Sequence, residues 1–444
     1  MSGAPSNSPT PHEHGEFSAC PLRLAYISLH TSPLAAPGRA DAGGMNVVEL
    51  QQALALARRG HQVDLITRRS DQDSPDVTDV APGVRLIQIE AGPPAPLAKS
   101  DMEQCIQPFR ERLASLIESG PHRYDLVHSH HWFSGVAALP VTRATGIAHV
   151  QSFHSVAAPE RAVSLAAGEP SESPGRIPGE REAATASDLV VAVSDAEAAT
   201  IRARYGVSAR RLAVVRPGVD TDMFHPSPST SGCAAAIADP GTSAASTDGA
   251  ITEDAPVDAP SRRPYVLFAA RLQPLKAPDL ALDLLSRLDP ATRPKLVLAG
   301  AASDDFADYD HELHRMVRER GLEADVEFVG ACSRERLAEL MRGACLFLLT
   351  SWSETFGLVA LEAQASGVPV IAWQGAGGVV EAVEAGGLVM ACRDADVWAE
   401  AIESLLGDRP RWLSLSRRAR EFALGRTWGH VAHQLEALYT EVVR

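Results

Sequence analysis

Long apolar runs are missing from this 444-residue sequence. No stretch approaches the roughly 18 residues that a membrane-spanning helix requires, and the first residues lack a secretory-signal pattern. An excess of positive charge is missing as well: 41 Lys and Arg stand against 56 Asp and Glu, a net charge of −15. That balance argues against nucleic acid or an anionic membrane as the main partner, while leaving room for local basic sites that hold phosphate. The six cysteines (20, 105, 233, 332, 345 and 392) fall in no CxxC or other metal-ligand spacing. They read as small core residues in a reducing compartment, and the expected location is the cytoplasm.

Hydrophobic content of 45% and charged content of 22% are those of a globular chain, and the length calls for two domains. Residues 1–21 are rich in Ser, Pro, His and Gly and are expected to be a disordered tail. From Leu22 a β–α rhythm begins. LRLAYISL, HQVDLITR, VRLIQIEA, YDLVHSH, GIAHVQSFHS, DLVVAVS and RLAVVRPGVD read as strands, with amphipathic helices between them. Residues 227–263 break the rhythm and read as a flexible linker between a first unit (22–226) and a second (264–425). The second unit repeats the pattern with PYVLFAAR, KLVLAG, DVEFVG, CLFLLTS, VPVIAW and GLVM, and residues 426–444 form a last helix. The fold class expected is α/β, with two doubly wound, Rossmann-like sheets whose carboxyl edges face a nucleotide-sized cleft.

The polar residues that matter sit at strand ends. DAGGMN (Asp41 to Asn46) places paired glycines before a helix, where backbone N–H groups can meet an anion; a tight turn needs the same residues. His30, His128, His130 and His131 cluster at two strand ends, but no neighbouring Cys or carboxylate spacing supports a metal site, and none is expected. His154, at another strand end, suits a hydrogen bond to a polar substrate. Arg271 and Lys276, in R-x4-K spacing after a strand, can bring two cations onto a diphosphate. Glu354, in a strand-to-helix loop, can accept hydrogen bonds from sugar hydroxyls. Glu362, inside the helix expected over 356–365, can hold a ribose diol. The amides of Thr355, Phe356 and Gly357 can receive phosphate oxygens. The two glutamates could also act as acid and base.

In this order, the GG loop, PGVD (Pro217 to Asp220), R-x4-K and E-x7-E resemble the family-4 retaining glycosyltransferases of GT-B architecture. The resemblance runs from Leu22 to the C-terminus apart from the linker, and implies a C-terminal helix crossing back to the first domain. The first loop and FGLVALEAQASGVPV are most similar to the inositol-phosphate branch that opens mycothiol biosynthesis; sucrose-phosphate synthases have a related first loop. That branch implies transfer of N-acetylglucosamine from UDP-GlcNAc to 1D-myo-inositol 3-phosphate, with UDP released. Carried over, His30, Gly44, Arg271, Lys276, Glu354, Glu362 and the 355–357 amides contact the donor. Asp41, Gly43, Gly44, Asn46, Lys99, His131, Ser155 and Arg176 hold the acceptor, and His154 supports the sugar. Three positions depart from the branch: His131 stands for a tyrosine, Cys332 for an arginine, and the lysine after His154-Ser155 is missing, with Arg161 nearby.

The expected mechanism is front-face, with the leaving phosphate taking the acceptor's proton and Arg271, Lys276 and the 355–357 amides taking the place of a metal. No cofactor beyond the donor is expected, and the partners are a UDP-sugar and a small phosphorylated acceptor, with a homodimer compatible with the sequence. Acceptors of the sucrose-phosphate or lipid-linked type, and a non-catalytic sugar-nucleotide sensor, are the alternatives.

Overall fold

The computed structural model describes residues 21–35, 43–120, 122–157, 173–227, 263–302, 306–383 and 386–444. Asp41, Arg161, residues 1–20 of the expected tail and residues 228–262 of the expected linker lie outside them. Strand β1 (Arg23–Ser28) leads into helix α1 (Gly44–Arg58), then β2 (Gln62–Arg68), β3 (Val77–Ala81), β4 (Val84–Ile89) and α2 (Ile106–Ser119). Next come β5 (Leu126–His130), α3 (His131–Thr145), β6 (Ala148–Ser152), α4 (Arg176–Ala186), β7 (Leu189–Ala192), α5 (Asp195–Tyr205) and β8 (Leu212–Val214).

These strands form an eight-stranded sheet in the order β3-β4-β2-β1-β5-β6-β7-β8. Every pair is parallel except β3–β4. The sequence reading missed β3, whose alternately exposed VTDVA lacks the continuous apolar run of a doubly covered strand.

The second series is β9 (Tyr265–Ala269), α6 (Pro278–Arg287), β10 (Lys295–Ala299), α7 (Ala307–Glu319), β11 (Val326–Gly330), α8 (Arg334–Gly343), β12 (Leu346–Leu349), α9 (Leu358–Ala365), β13 (Val370–Trp373), α10 (Val379–Val383) and β14 (Gly387–Met390). Its sheet is parallel throughout, in the order β11-β10-β9-β12-β13-β14. Both series are the Rossmann-like units that the β–α rhythm implies.

Three helices close the chain: α11 (Ala395–Leu406), α12 (Arg409–Leu424) and α13 (Trp428–Val443). Thr427 caps α13, and its buried residues Trp428, Val431, Ala432, Leu435 and Tyr439 recur at three- and four-residue steps. That stripe packs with β1, β2 and α1 of the first unit in one hydrophobic cluster, as the crossing-back helix requires. Glu436 pairs with Arg59 just after α1, and the Tyr439 hydroxyl meets that of Tyr26 and the Nδ1 of His128.

The two units touch directly. Leu358 at the start of α9 belongs to the same cluster as Val191, Val215 and Trp428, while Val193 and Val219 join the core of the second sheet. Glu381 of α10 accepts from the Ala196 amide and from Arg216. No helix among the described residues is long and apolar enough to cross a membrane. Cys105 is buried as expected of a core residue, but Cys392 is exposed and Cys345 is disulfide-bonded, which corrects the expectation of uniformly reduced core thiols.

Candidate functional site

Two loops at the carboxyl edge of the second sheet carry the cation and the carboxylate that the sequence singled out. After β9 the chain passes Gly300, where a Cβ would stand 1.9 Å from the Ala270 carbonyl oxygen; only glycine permits that approach. Arg271 follows, half-buried, and one turn of 3-10 helix (Pro274–Lys276) delivers Lys276. The second loop leaves the fully buried β12. Its first residue, Thr350, sets its hydroxyl 2.9 and 2.8 Å from the carbonyls of Lys276 and Ala277, and the Trp352 amide donates to the Leu275 carbonyl. Arg393 lies over the Trp352 ring and donates to the carbonyls of Thr350 and Ser351. The two loops are thereby stitched into one surface.

Glu354 is clamped at both ends. Its amide donates to the Ala376 carbonyl (2.7 Å) and its carbonyl accepts from the Gly378 amide (3.0 Å). A Cβ on Gly378 would sit 2.0 Å from the Thr355 carbonyl oxygen, so glycine makes the contact possible. The Glu354 side chain accepts on one oxygen from both Lys276 Nζ and Ser351 Oγ, each at 2.7 Å. Beyond it, the amides of Thr355, Phe356 and Gly357 donate to no acceptor among the described residues. They precede α9, which begins at Leu358 rather than Phe356; Gly357 takes a left-handed conformation (φ 89°) that turns the chain into the helix. Unpaired amides before a helix present partial positive charge to an anion. Glu362, 2% exposed, accepts from Arg334 at 2.6 Å. Burial holds its carboxyl above the usual range, opposed by Arg334. Each glutamate thus has its own cation, which gives no support to an acid–base pair.

The first sheet contributes a different chemistry at its carboxyl edge. His131 and His154 both take left-handed backbone conformations (φ 67° and 59°), a strained geometry that only surrounding structure maintains. His131 is buried with both ring nitrogens unpartnered, and its ring packs 4.4 Å from that of His30, whose Nδ1 is also buried without a partner. Lys99 and Arg176 bear electrostatically on both rings, and with burial as the larger cause they hold both histidines well below their ordinary pKa. His154 is pushed down to about 3 by burial. Arg176 donates from Nε to Glu180 (2.8 Å) and from Nη2 to the Ser155 carbonyl (3.2 Å) and hydroxyl (3.1 Å), so these expected acceptor residues are in contact. Asn46 has a structural engagement: its side chain accepts from the Gly43 amide and donates to Thr31 and Ser32, anchoring the first loop to α1. Gly43 and Gly44 face open space.

Comparison with known proteins agrees with this architecture. Residues 42–223 match the model of Glycosyltransferase Family 4, and residues 251–422 that of Glycosyl transferases group 1. A D-inositol 3-phosphate glycosyltransferase of Mycolicibacterium paratuberculosis is 37% identical over 428 residues, 96% of this chain and 91% of its own. The chain belongs to the family-4 glycosyltransferases. The Nocardia farcinica D-inositol 3-phosphate glycosyltransferase is 38% identical over 95% of this chain and 89% of its own. Among solved structures, sucrose-phosphate synthase from Thermosynechococcus elongatus superposes with a TM-score of 0.79 at 27% identity, covering 95% of this chain and 99% of the other. Anabaena HepE, solved with UDP and glucose, shares the fold at 20% identity and a TM-score of 0.68, over 94% and 99% of the chains.

Around these residues the fold of this glycosyltransferase places others that sequence reading passed over. Arg334, two places beyond Cys332, is the cation on Glu362. Glu180, one helical turn after Arg176, accepts from Arg176, the Ala157 amide and the Tyr205 hydroxyl; the i, i+4 spacing was the available signal. Glu49 gives no pattern signal beyond a charge on the buried face of α1. It comes within 4.8 Å of His130 and His154, ligand atom to ligand atom.

Proposed function

We propose that this glycosyltransferase is a retaining enzyme that moves N-acetylglucosamine from UDP-GlcNAc to 1D-myo-inositol 3-phosphate, the opening step of mycothiol biosynthesis. The observation that carries the acceptor is the positive field of Lys99 and Arg176 on the buried His131, whose two ring nitrogens are unpartnered, and on the buried, unpartnered Nδ1 of His30. A phosphate there would accept from the ring N–H groups of His30 and His131 that lack a partner. Relatives of 37–38% identity that are named for D-inositol 3-phosphate support the same reading.

On the donor side, Arg271, Lys276 and the amides of Thr355 to Gly357 take the diphosphate, Glu354 the sugar hydroxyls and Glu362 the ribose. His30 and Gly44 border the donor, and Asp41 and Gly43 the acceptor. In the reaction the acceptor oxygen bonds to the anomeric carbon as the bond to the UDP oxygen breaks on the same face. The acceptor proton passes to the departing phosphate, so no separate base is used. Positive charge fixed at the loop ends stabilises that phosphate without reorganisation, which fills the role a metal plays in other transferases. His154 orients the sugar so that the reacting carbon meets the acceptor.

A sucrose-phosphate type of acceptor is the second reading, favoured by the structural likeness to the Thermosynechococcus synthase. The deciding experiment measures UDP release from UDP-GlcNAc with and without inositol 3-phosphate, followed by UDP- and GDP-sugars against a panel of phosphorylated polyols and hexoses, read by product mass. Release that depends on inositol 3-phosphate supports the proposal. Turnover only with fructose 6-phosphate would transfer it to the second reading, and UDP-GlcNAc binding with no turnover on any acceptor would reduce the protein to a sensor.

A further inference from the structure

Behind His154 lies a buried carboxyl group that the proposed chemistry does not use. Glu49 sits on the inner face of α1, is 0% exposed, and neither oxygen finds a hydrogen-bond partner. The side chains facing it are Tyr26 and Ser28 of β1, His130 at the end of β5, and His154. Ser28 Oγ lies close enough to moderate the burial that raises the Glu49 carboxyl well above its usual range, but its own proton goes to the Thr31 carbonyl. An unpaired carboxyl in a helix interior is costly, and an apolar side chain there would cost nothing.

What the carboxyl faces gives it a use. Glu49 Oε1 is 3.7 Å from His130 Nδ1, and that same nitrogen is 2.8 Å from His154 Nε2. The rings of His130 and His154 stack with centroids 5.1 Å apart, and His130 is locked in the interior beside His128 and Tyr26. Between His130 Nδ1 and His154 Nε2 there is one proton to place. The partial negative charge of the Glu49 oxygen, too distant for a hydrogen bond, favours the proton on His130 Nδ1; His154 Nε2 then accepts it, and the His154 proton resides on Nδ1. Nδ1 of His154 has no hydrogen-bond partner among the described residues and is not among the buried unpartnered atoms, so it is the ring atom left for the cleft.

We propose that Glu49 is a positioning residue which, through His130, holds His154 as the tautomer whose Nδ1–H faces the substrate cleft as a hydrogen-bond donor. A divalent cation held by the three side chains is the competing use. Two ligands on one tetrahedral zinc stand roughly 3.3 Å apart, from bonds of about 2.05 Å, whereas these two nitrogens are at hydrogen-bond separation. The proposal rests on the placement of His154 at the sugar.

The test uses the full chain and three variants: Glu49→Leu, Glu49→Gln and His154→Ala. Glu49→Leu removes the unpaired carboxyl and is expected to raise Tm while lowering kcat about 10- to 100-fold, the scale on which outer partners of a functional histidine act. Nitrogen-15 NMR of histidine-labelled protein is expected to show the His154 proton moving from Nδ1 to Nε2 in Glu49→Leu. Glu49→Gln, whose amide oxygen keeps a partial negative charge facing His130 Nδ1, is expected to retain both the native tautomer and most of the turnover. A merely structural role predicts no tautomer change and a Tm that falls with activity. If Glu49→Leu keeps native kcat and tautomer while His154→Ala is inactive, the relay is overturned and the His154 placement stands. Near-normal turnover in His154→Ala removes that placement itself. Metal analysis that finds one zinc or other divalent ion per chain, lost in Glu49→Leu, overturns the relay in favour of a metal site.

Discussion

Lys276→Ala separates catalysis from stability more cleanly than any other change in the donor loops. Lys276 touches Glu354 at 2.7 Å, and their side chains are 18% and 14% exposed. In turnover its charge is proposed to sit against the departing phosphate. A unit charge about 4 Å from a unit charge at an effective dielectric near 20 is worth roughly 4 kcal/mol. At about 1.4 kcal/mol per tenfold that corresponds to about three powers of ten, and partial solvent access lowers the expectation to about 10²- to 10³-fold in kcat. The cost in folding is far smaller. Glu354 keeps its hydrogen bond from Ser351 and its two backbone clamps, so the loss resembles that of a partly exposed ion pair, about 1 kcal/mol or less. The assay is steady-state UDP release with saturating inositol 3-phosphate, paired with thermal unfolding. A variant that folds normally and turns over within about tenfold of the native rate would refute the assignment of Lys276 to the leaving group. Glu354→Ala is expected to behave likewise: a normal fold with transfer abolished.

The two cations of the acceptor site should diverge. Lys99 is exposed, so Lys99→Ala is expected to raise the acceptor KM with little change in Tm, whereas Arg176→Ala leaves the buried Glu180 its bonds from Ala157 and Tyr205 but no longer the Arg176 charge, and is expected to cost about 3 kcal/mol of stability; equal Tm values for the two variants would contradict this. Glu362→Gln keeps the shape but removes the charge that would hold the ribose and that pairs with Arg334, and is expected to raise the donor KM about 10- to 100-fold with little change in kcat. Stability should fall on acidification for a definite reason. His149, 2% exposed and bonded to Ser129 and Ser187, is pushed down to about 3 by burial, with Arg143 adding to the shift. For this one group, a folded-state value below the unfolded one near 6.5 leaves its contribution flat above pH 6.5, and that contribution then falls by about 1.4 kcal/mol per pH unit toward pH 3; the other buried histidines, His154 among them, act in the same direction and the buried Glu197, raised to about 7, against it. Unfolding curves at pH 7.5, 6.5 and 5.5 check the slope, and a Tm that rises on acidification across this window would exclude it.

What could be read locally was read from the sequence alone. The β–α alternation, the continuous apolar strands such as LFLL and the stop at Gly367 and Pro369 are short-range patterns, and the two doubly wound sheets follow from them. R-x4-K and E-x7-E are legible by their spacing, with Arg271 and Glu354 in loops after strands and Glu362 inside the helix that follows. Partnership could not be read in this way. Nothing in the spacing joins Arg334 to Glu362, 28 positions apart, or sets the exposed β3 antiparallel on the sheet edge. That Asn46 also fastens the first loop, with both ends of its side chain engaged there, is visible only in the fold. Glu49 is the strongest case. On the helix it is one more charge, and only the packing of α1 against β1 and β5 strips its water away and sets it beside His130 and His154. Desolvation belongs to the assembled molecule, so the residues whose chemistry depends on it become visible only there.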